Sequence, residues 1–397
     1  MIATHIFFLW RVRDRIARGD PDFTVFYTAG KMMREGLRFQ LYNPRAQLAV
    51  QAEFARNSDI RRGPLPYIHP PFEALFFLPL TFLPYPHAFT AWNLINLAIL
   101  FGVTMLLRKS LQSLQVIPIW QMVLLALAFF PVFANFHQGQ DAILLLLVVT
   151  LSFRALDRDA DFLAGCWLAF GLFKYHLILP VAVILALWRG RKFIRGFAAV
   201  GSTALLISLG LVGWKGALQY PAYAWSVVSH PGFGGIPPGQ LPSLYGLLAG
   251  WPFSDNAGMS LLLVTAAGSA ALLTVAAGLR KYARDKSFFR LCFGAVVITA
   301  LLVGYSTNSY DLSLLVLPLA MTMNWRPDRP REWKGLLAPA VPVLISPLWF
   351  FLWMRWQRIN LMAVFLLWWL FALIAAVRRL RRLREEPFAQ PALIANV

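Results

Sequence analysis

Charge is what this chain has least of. Only 14% of its 397 residues are charged, and acids are the scarcer sign, with 18 Asp and Glu against 37 Lys and Arg. A soluble domain of this length needs more polar surface to cover its core, so that class is excluded. Cysteine is almost missing. Cys166 and Cys292 both lie in apolar stretches without metal-ligand neighbours, which reads as two small buried hydrophobes rather than a disulfide or metal framework. There is no H-E-x-x-H pair, no phosphate-binding glycine loop and no nucleophile elbow. The start shows no n-region followed by a secretory cleavage site. The net charge of +19 comes without an aromatic-interleaved basic module or zinc-finger spacing, so nucleic acid is not an expected partner.

What is plentiful is apolar sequence: 58% hydrophobic residues and a mean hydropathy of +0.59. Long continuous runs recur at approximately 86–107, 116–134, 142–153, 162–173, 177–188, 193–213, 258–279, 291–303, 312–323, 336–353 and 360–377. Only helices and closed barrels satisfy their backbone in lipid, and these runs do not alternate, so they predict helices. The expected fold is an all-α polytopic integral membrane protein of about 11–12 membrane helices, some short or paired. Residues 1–397 are read as one domain.

Basic residues alternate between connections. One set holds Arg108 and Lys109, Arg154 and Arg158, Arg189–Arg195, Arg280–Arg290, Arg326–Lys334 and the tail from Arg378, together 22 of the 37 Lys and Arg. The other set is poor in them: 135–141 has none, the 174–176 turn has Lys174 alone, and 214–257 has only Lys215, with Arg355 and Arg358 the exception near the end. The positive-inside rule then puts the first set, with the basic tail 378–397, in the cytoplasm. Residues 11–85 and 214–257 become long outer loops. The first carries eleven Lys and Arg, but it exceeds the length over which the rule is reliable.

On the outer side, four separate stretches collect acid, base and amide groups: Asp20, Asp22, Tyr27, His69 and Glu73; Asn135 to Asp141; Lys174 to His176; Asn308, Tyr310 and Asp311. Each has a plain explanation. Asp22 and Asp311 stand where helix caps stand, Glu73 suits a first helical turn, and Lys174 can snorkel to the interface. Gln138 and Gln140 suit ordinary interhelical hydrogen bonds. Capping and snorkelling do not require that all of them fall on one side, however, and ionisable groups at membrane depth mark function. Asp157, Asp159 and Asp161 alternate in a cytoplasmic connection and read as solvated.

The stretch Asp22-Phe23-Thr24-Val25-Phe26-Tyr27-Thr28-Ala29-Gly30, then Gly36 and Leu41-Tyr42-Asn43-Pro44, resembles glycosyltransferase family 87. So do Tyr67-Ile68-His69-Pro70-Pro71-Phe72-Glu73, Leu78-Pro79-Leu80, Leu83-Pro84, Trp92, Gly139-Gln140, Gly171-Leu172-Phe173-Lys174 and Tyr310-Asp311-Leu312, in the family's order from about residue 20 to 320. The chain departs from the pattern at His69, where Tyr is frequent, and at Ser306-Thr307-Asn308, where the family often has His. The resemblance implies a GT-C-like bundle with amphipathic helices in the first outer loop. It also implies inverting transfer of a hexose, typically mannose, from a polyprenyl-phosphate donor to a lipid or glycan acceptor. The setting would be a multi-pass cell membrane protein, in bacteria the inner membrane, working on the periplasmic or exterior face.

Carried over by motif, Asp22 is the catalytic base. Lys174, His176 and His69 are expected to hold the donor phosphate, because transfer needs a base at the acceptor and a cationic or hydrogen-bonding clamp at the leaving group. Tyr27, Gln140, Tyr310, Asp311, Asn308 and Glu73 are expected to position sugar or acceptor. No metal or other cofactor is expected. The competing reading is a transporter or flippase of a lipid-linked or anionic substrate, which also places polar groups between broken helices.

Overall fold

A computed structural model describes residues 1–55, 65–229, 237–249, 258–325, 330–356 and 360–385. Among these the regular structure is entirely helical. Six stretches are long and apolar enough to cross a membrane: Tyr85–Ser110, Asp161–Arg189, Arg191–Val227, Leu261–Ala283, Lys286–Val303 and Leu361–Arg382. Ile119–Ala128 and Phe130–Gln138, bent by 74°, are together as apolar and as long, and count as a seventh if the pair is one broken span. The protein is an all-α polytopic membrane protein. The sequence suggests more membrane helices because several of its apolar runs fold into helices too short to cross alone, among them Ala142–Asp157 and Val316–Asn324.

The stretch Asp161–Arg189 is not one straight crossing. Twenty-nine residues of straight helix would part its ends by about 43 Å. Instead, Arg189 Nη1 lies 3.6 Å from Asp161 and 3.2 Å from Asp159. The chain turns back at Gly171–Lys174, so Asp161–Phe170 and Tyr175–Arg189 form a helical hairpin with Lys174 in its tip. The next helix packs backbone to backbone on the first arm. A Cβ at Gly165 or Gly196 would overlap the carbonyl oxygen of Phe193 or Phe162, and small residues are what such close helix contacts require.

The hairpin defines two levels in the bundle. At its open end gather the basic connections: Arg290 meets Asp157 at 3.5 Å, Lys286 meets Asp159 at 3.1 Å, and Arg154 reaches the Leu106 carbonyl. Arg381 stacks over Tyr282 there. Residues 326–329, 357–359 and 386–397 lie outside the described residues, so the basic groups Arg326, Arg329 and Arg358 are not placed. At the tip level, the Trp92 indole donates to the carbonyls of Gly139 and Gln140, and the Tyr175 and Tyr305 hydroxyls meet at 2.6 Å. The segregation read from the basic connections is thus a contact pattern of the fold.

The first outer segment is held on the tip level by an aromatic core of its own. Helix Phe23–Arg34 buries Phe23, Phe26 and Tyr27 against Phe77, Tyr85, Phe89 and Trp92. Helix Pro44–Phe54 starts with Pro at its first turn and Asn43 as cap, the side chain accepting from the Arg45 and Ala46 amides. Gly139, at φ +61°, ends Phe130–Gln138, and a Cβ there would sit 2.7 Å from that of Phe23. Helix Arg191–Ser229 breaks at Gly213, whose φ of +68° no β-branched residue would tolerate. Its far part leans on the outer segment, Tyr220 donating to the Ile68 carbonyl and Tyr223 to Gln47. The second outer loop therefore begins as helix; its residues 230–236 and 250–257 lie outside the described residues.

The basic end is expected to be cytoplasmic. With Cys166 and Cys292 changed to Ala, Phe39→Cys in the exposed outer segment should take an impermeant maleimide in intact cells, and Lys192→Cys only after permeabilisation. The opposite pattern would reverse the sidedness.

Candidate active site

Lys174 is the hub at the tip level. It is 3% exposed, and its ammonium lies 2.9 Å from Asp141 Oδ1 and 2.7 Å from Asp311 Oδ1, each carboxylate 1% exposed. The Tyr310 ring lies under it at 4.6 Å. These contacts rule out snorkelling, since the charge is directed into the protein. Asp311 also binds its own turn, Oδ2 accepting the Asn308 amide at 2.8 Å. The Asn308 side chain turns to the Ser306 carbonyl.

Gln140 links this hub to Asp22. Its Nε2 donates to Asp22 Oδ2 at 2.9 Å, while its Oε1 accepts from Lys174 at 3.5 Å. Asp22 occupies the cap position of Phe23–Arg34 but makes no side-chain cap bond, and its backbone is already helical at φ −59°, ψ −20°. Its own amide donates to Gln138. The capping explanation for Asp22 therefore fails on geometry. Asp22 is half-buried and lines a cavity of about 270 Å³ with Val12, Arg15, Asp20, His137 and Gln138.

On the other side of the hub stands a second acid–base pair. Pro70 and Pro71 start a short helical turn that places His69 and Glu73 one turn apart, His69 Nδ1 donating to Glu73 Oε2 at 2.9 Å. Tyr67 donates to the same oxygen, and Tyr42 holds the His69 carbonyl. Glu73 is fully buried, and that burial pushes its carboxyl up to about 8. Burial alone would lower His69, but the adjoining Glu73 carboxylate outweighs it and leaves the imidazole raised. His176, in the hairpin tip, packs 5.4 Å from Tyr305, and its Nε2 has no hydrogen-bond partner.

The fold thus brings Asp22, His69, Glu73, Gln140, Lys174, His176, Tyr310 and Asp311 to one level from four separate stretches. Tyr27 stays apart, its ring in the aromatic core and its hydroxyl on the Leu83 carbonyl. Asp141 joins the group with no role read from the sequence, where it stood only as one of several polar residues in an outer turn. Its signal was position: it follows Gln140 in the turn that faces the lone membrane lysine. Beside the hub, two apolar cavities of about 240 and 360 Å³ share Tyr175 and Tyr220. The first is lined by Pro70, Pro71, Leu172, Ala204 and Leu205.

The sequence profile of glycosyltransferase family 87 matches residues 67–304, well over half of the chain. The chain belongs to glycosyltransferase family 87. No curated protein and no solved structure matches it. This family 87 member is a membrane glycosyltransferase, which answers the transporter alternative. The match holds His69, Glu73, Gln140, Asp141, Lys174 and His176, whereas Asp22 and Asp311 lie outside it.

Removing the hub charge has a computable consequence. Lys174→Met would leave Asp141 and Asp311 buried without a counter-charge, which costs about 3–5 kcal/mol. Thermal unfolding in detergent should show a lowered midpoint, and adding Asp311→Asn should restore part of it. Equal midpoints for wild type and Lys174→Met would mean that the ammonium does not carry this network.

Proposed function

We propose that this glycosyltransferase moves a hexose, mannose by family resemblance, from a polyprenyl-phosphate donor to a hydroxyl of a lipid or glycan acceptor, on the non-cytoplasmic face. The observation that carries the reading is the position of Asp22. Glu73, Asp141 and Asp311 are buried and engaged in the interior of the cluster, whereas the Asp22 carboxylate borders a cavity that an acceptor can enter. Gln140 fixes that carboxylate on the rim and separates the acceptor side from the Lys174 side.

In the step, the acceptor hydroxyl gives its proton to Asp22 as its oxygen bonds to the anomeric carbon. The bond from that carbon to the phosphate oxygen breaks, its electron pair leaves with the lipid phosphate, and the configuration inverts. A base so placed commonly supplies about 10²–10⁴-fold. Lys174, which meets the Gln140 oxygen while Asp22 meets its nitrogen, would take up the charge on that side of the leaving phosphate, with His176 and His69 assisting. The apolar cavities shared by Tyr175 and Tyr220 adjoin that side and suit a lipid chain. A donor arriving through the bilayer needs no nucleotide-binding fold.

Asp22→Asn should lower transfer from polyprenyl-phosphate mannose by about 10²–10⁴-fold. Folding should be unchanged, since the Asp22 side chain caps no helix amide. Asp20→Asn, which weakens a pair with the mostly exposed Arg15, should stay close to wild type. Turnover by radiolabelled sugar transfer in detergent measures both. Full activity in Asp22→Asn would remove it as the base.

A further inference from the structure

The cluster around Lys174 crowds three acids together. Glu73, Asp141 and Asp311 are each at most 1% exposed; the Lys174 ammonium meets the last two, and Glu73 has His69 instead. Lys174 takes one oxygen from Asp141 and one from Asp311, and the Asn308 amide takes the second oxygen of Asp311. Left over are Glu73 Oε1 and Asp141 Oδ2, which no protein donor reaches, while the Glu73 and Asp141 carboxyl groups lie close enough to each other to share a proton or an ion. Burying polar atoms in that state is costly, and carboxylates pay most. One donor atom from each of His69, Glu73 and Asp141 lies within 4.8 Å of the others.

We propose that His69, Glu73 and Asp141 form a site for a divalent cation, bound through one imidazole nitrogen and two carboxylates. The 2.9 Å from His69 Nδ1 to Glu73 Oε2 matches the spacing of adjacent ligands on one ion, about 3 Å for bonds of about 2.1 Å at right angles. A mixed nitrogen–oxygen set favours a first-row transition ion such as Mn²⁺ over Ca²⁺. His69 is the least buried of the three, and Pro70 and Pro71, which follow it, line the apolar cavity, so open coordination positions would face that side. There the ion would present positive charge to an incoming phosphate, where the bare cluster presents carboxylates. That last role rests on the proposed transfer; the binding site itself does not.

The test reads binding without substrate. Protein stripped with chelator and purified in detergent is titrated with Mn²⁺, following free Mn²⁺ by its paramagnetic resonance signal and the unfolding midpoint in parallel. One equivalent should bind and raise the midpoint. Glu73→Gln, which keeps the shape and can still accept from His69 and Tyr67, should weaken binding about tenfold or more, as should His69→Gln. Glu53→Gln, at an exposed pair with Lys31, should bind as wild type does. Absence of bound Mn²⁺, Mg²⁺ or Zn²⁺ in folded wild type up to about 1 mM would overturn the proposal. So would wild-type affinity in both Glu73→Gln and His69→Gln. A failed transfer assay alongside intact metal binding would instead count against the proposed function.

Discussion

The ion pairs of Lys174 with Asp141 and Asp311 join three separate segments of the chain. The lysine comes from the hairpin tip, Asp141 from the head of Ala142–Asp157, and Asp311 from the turn after Lys286–Val303. A buried ammonium between two carboxylates survives in a low-dielectric setting only if all three groups are present together. The pairs therefore fix the relative height of three helices that share few other polar contacts at this level. Gln140 then passes that fixed height on to Asp22, and the aromatic core around Phe23, Phe77 and Trp92 keeps the outer segment from drifting away from it.

Two kinds of packing divide the molecule. Within the bundle, contacts are made by Leu, Val and Phe and by glycines that let backbones touch, as at Gly165 and Gly196. In the outer segment, contacts are made by aromatic rings whose hydroxyls and ring nitrogens tie down loop carbonyls: Tyr42 on His69, Tyr67 on Pro70, Trp92 on Gly139. The site lies where the two meet. Amphipathic rings suit that boundary because one edge is apolar and the other can donate a hydrogen bond.

Much of this was legible in the sequence, for physical reasons that differ by feature. The helical class followed from continuous apolar runs, and the two levels followed from where Lys and Arg fall. The hairpin was legible because Lys174 interrupts an apolar run that is otherwise unbroken from Phe170 to Leu179 except for its tip residues. The partners within the site were not legible. Nothing in the spacing says that Asp141 rather than Asp22 meets Lys174, because which carboxylate reaches the lysine is set by how the helices pack and not by distance along the chain. Nor does the sequence reveal that Tyr27 faces the aromatic core: its side of the helix is decided by Phe54 and Tyr85, which arrive from elsewhere. Which of the short helices pair was not legible either, since run length alone does not say so.

The closed base of the hairpin also bears on how the chain enters a membrane. Arg158, Arg189 and Arg191 all stay at the same end, so inserting residues 161–189 moves no basic connection through the lipid. Only the short tip must travel inward, and the charge it carries is a single lysine. During synthesis Asp141 has already been made when Lys174 emerges, while Asp311 follows more than a hundred residues later. The tip can thus acquire half of its neutralisation early, and the second carboxylate locks it only when the rest of the bundle has arrived.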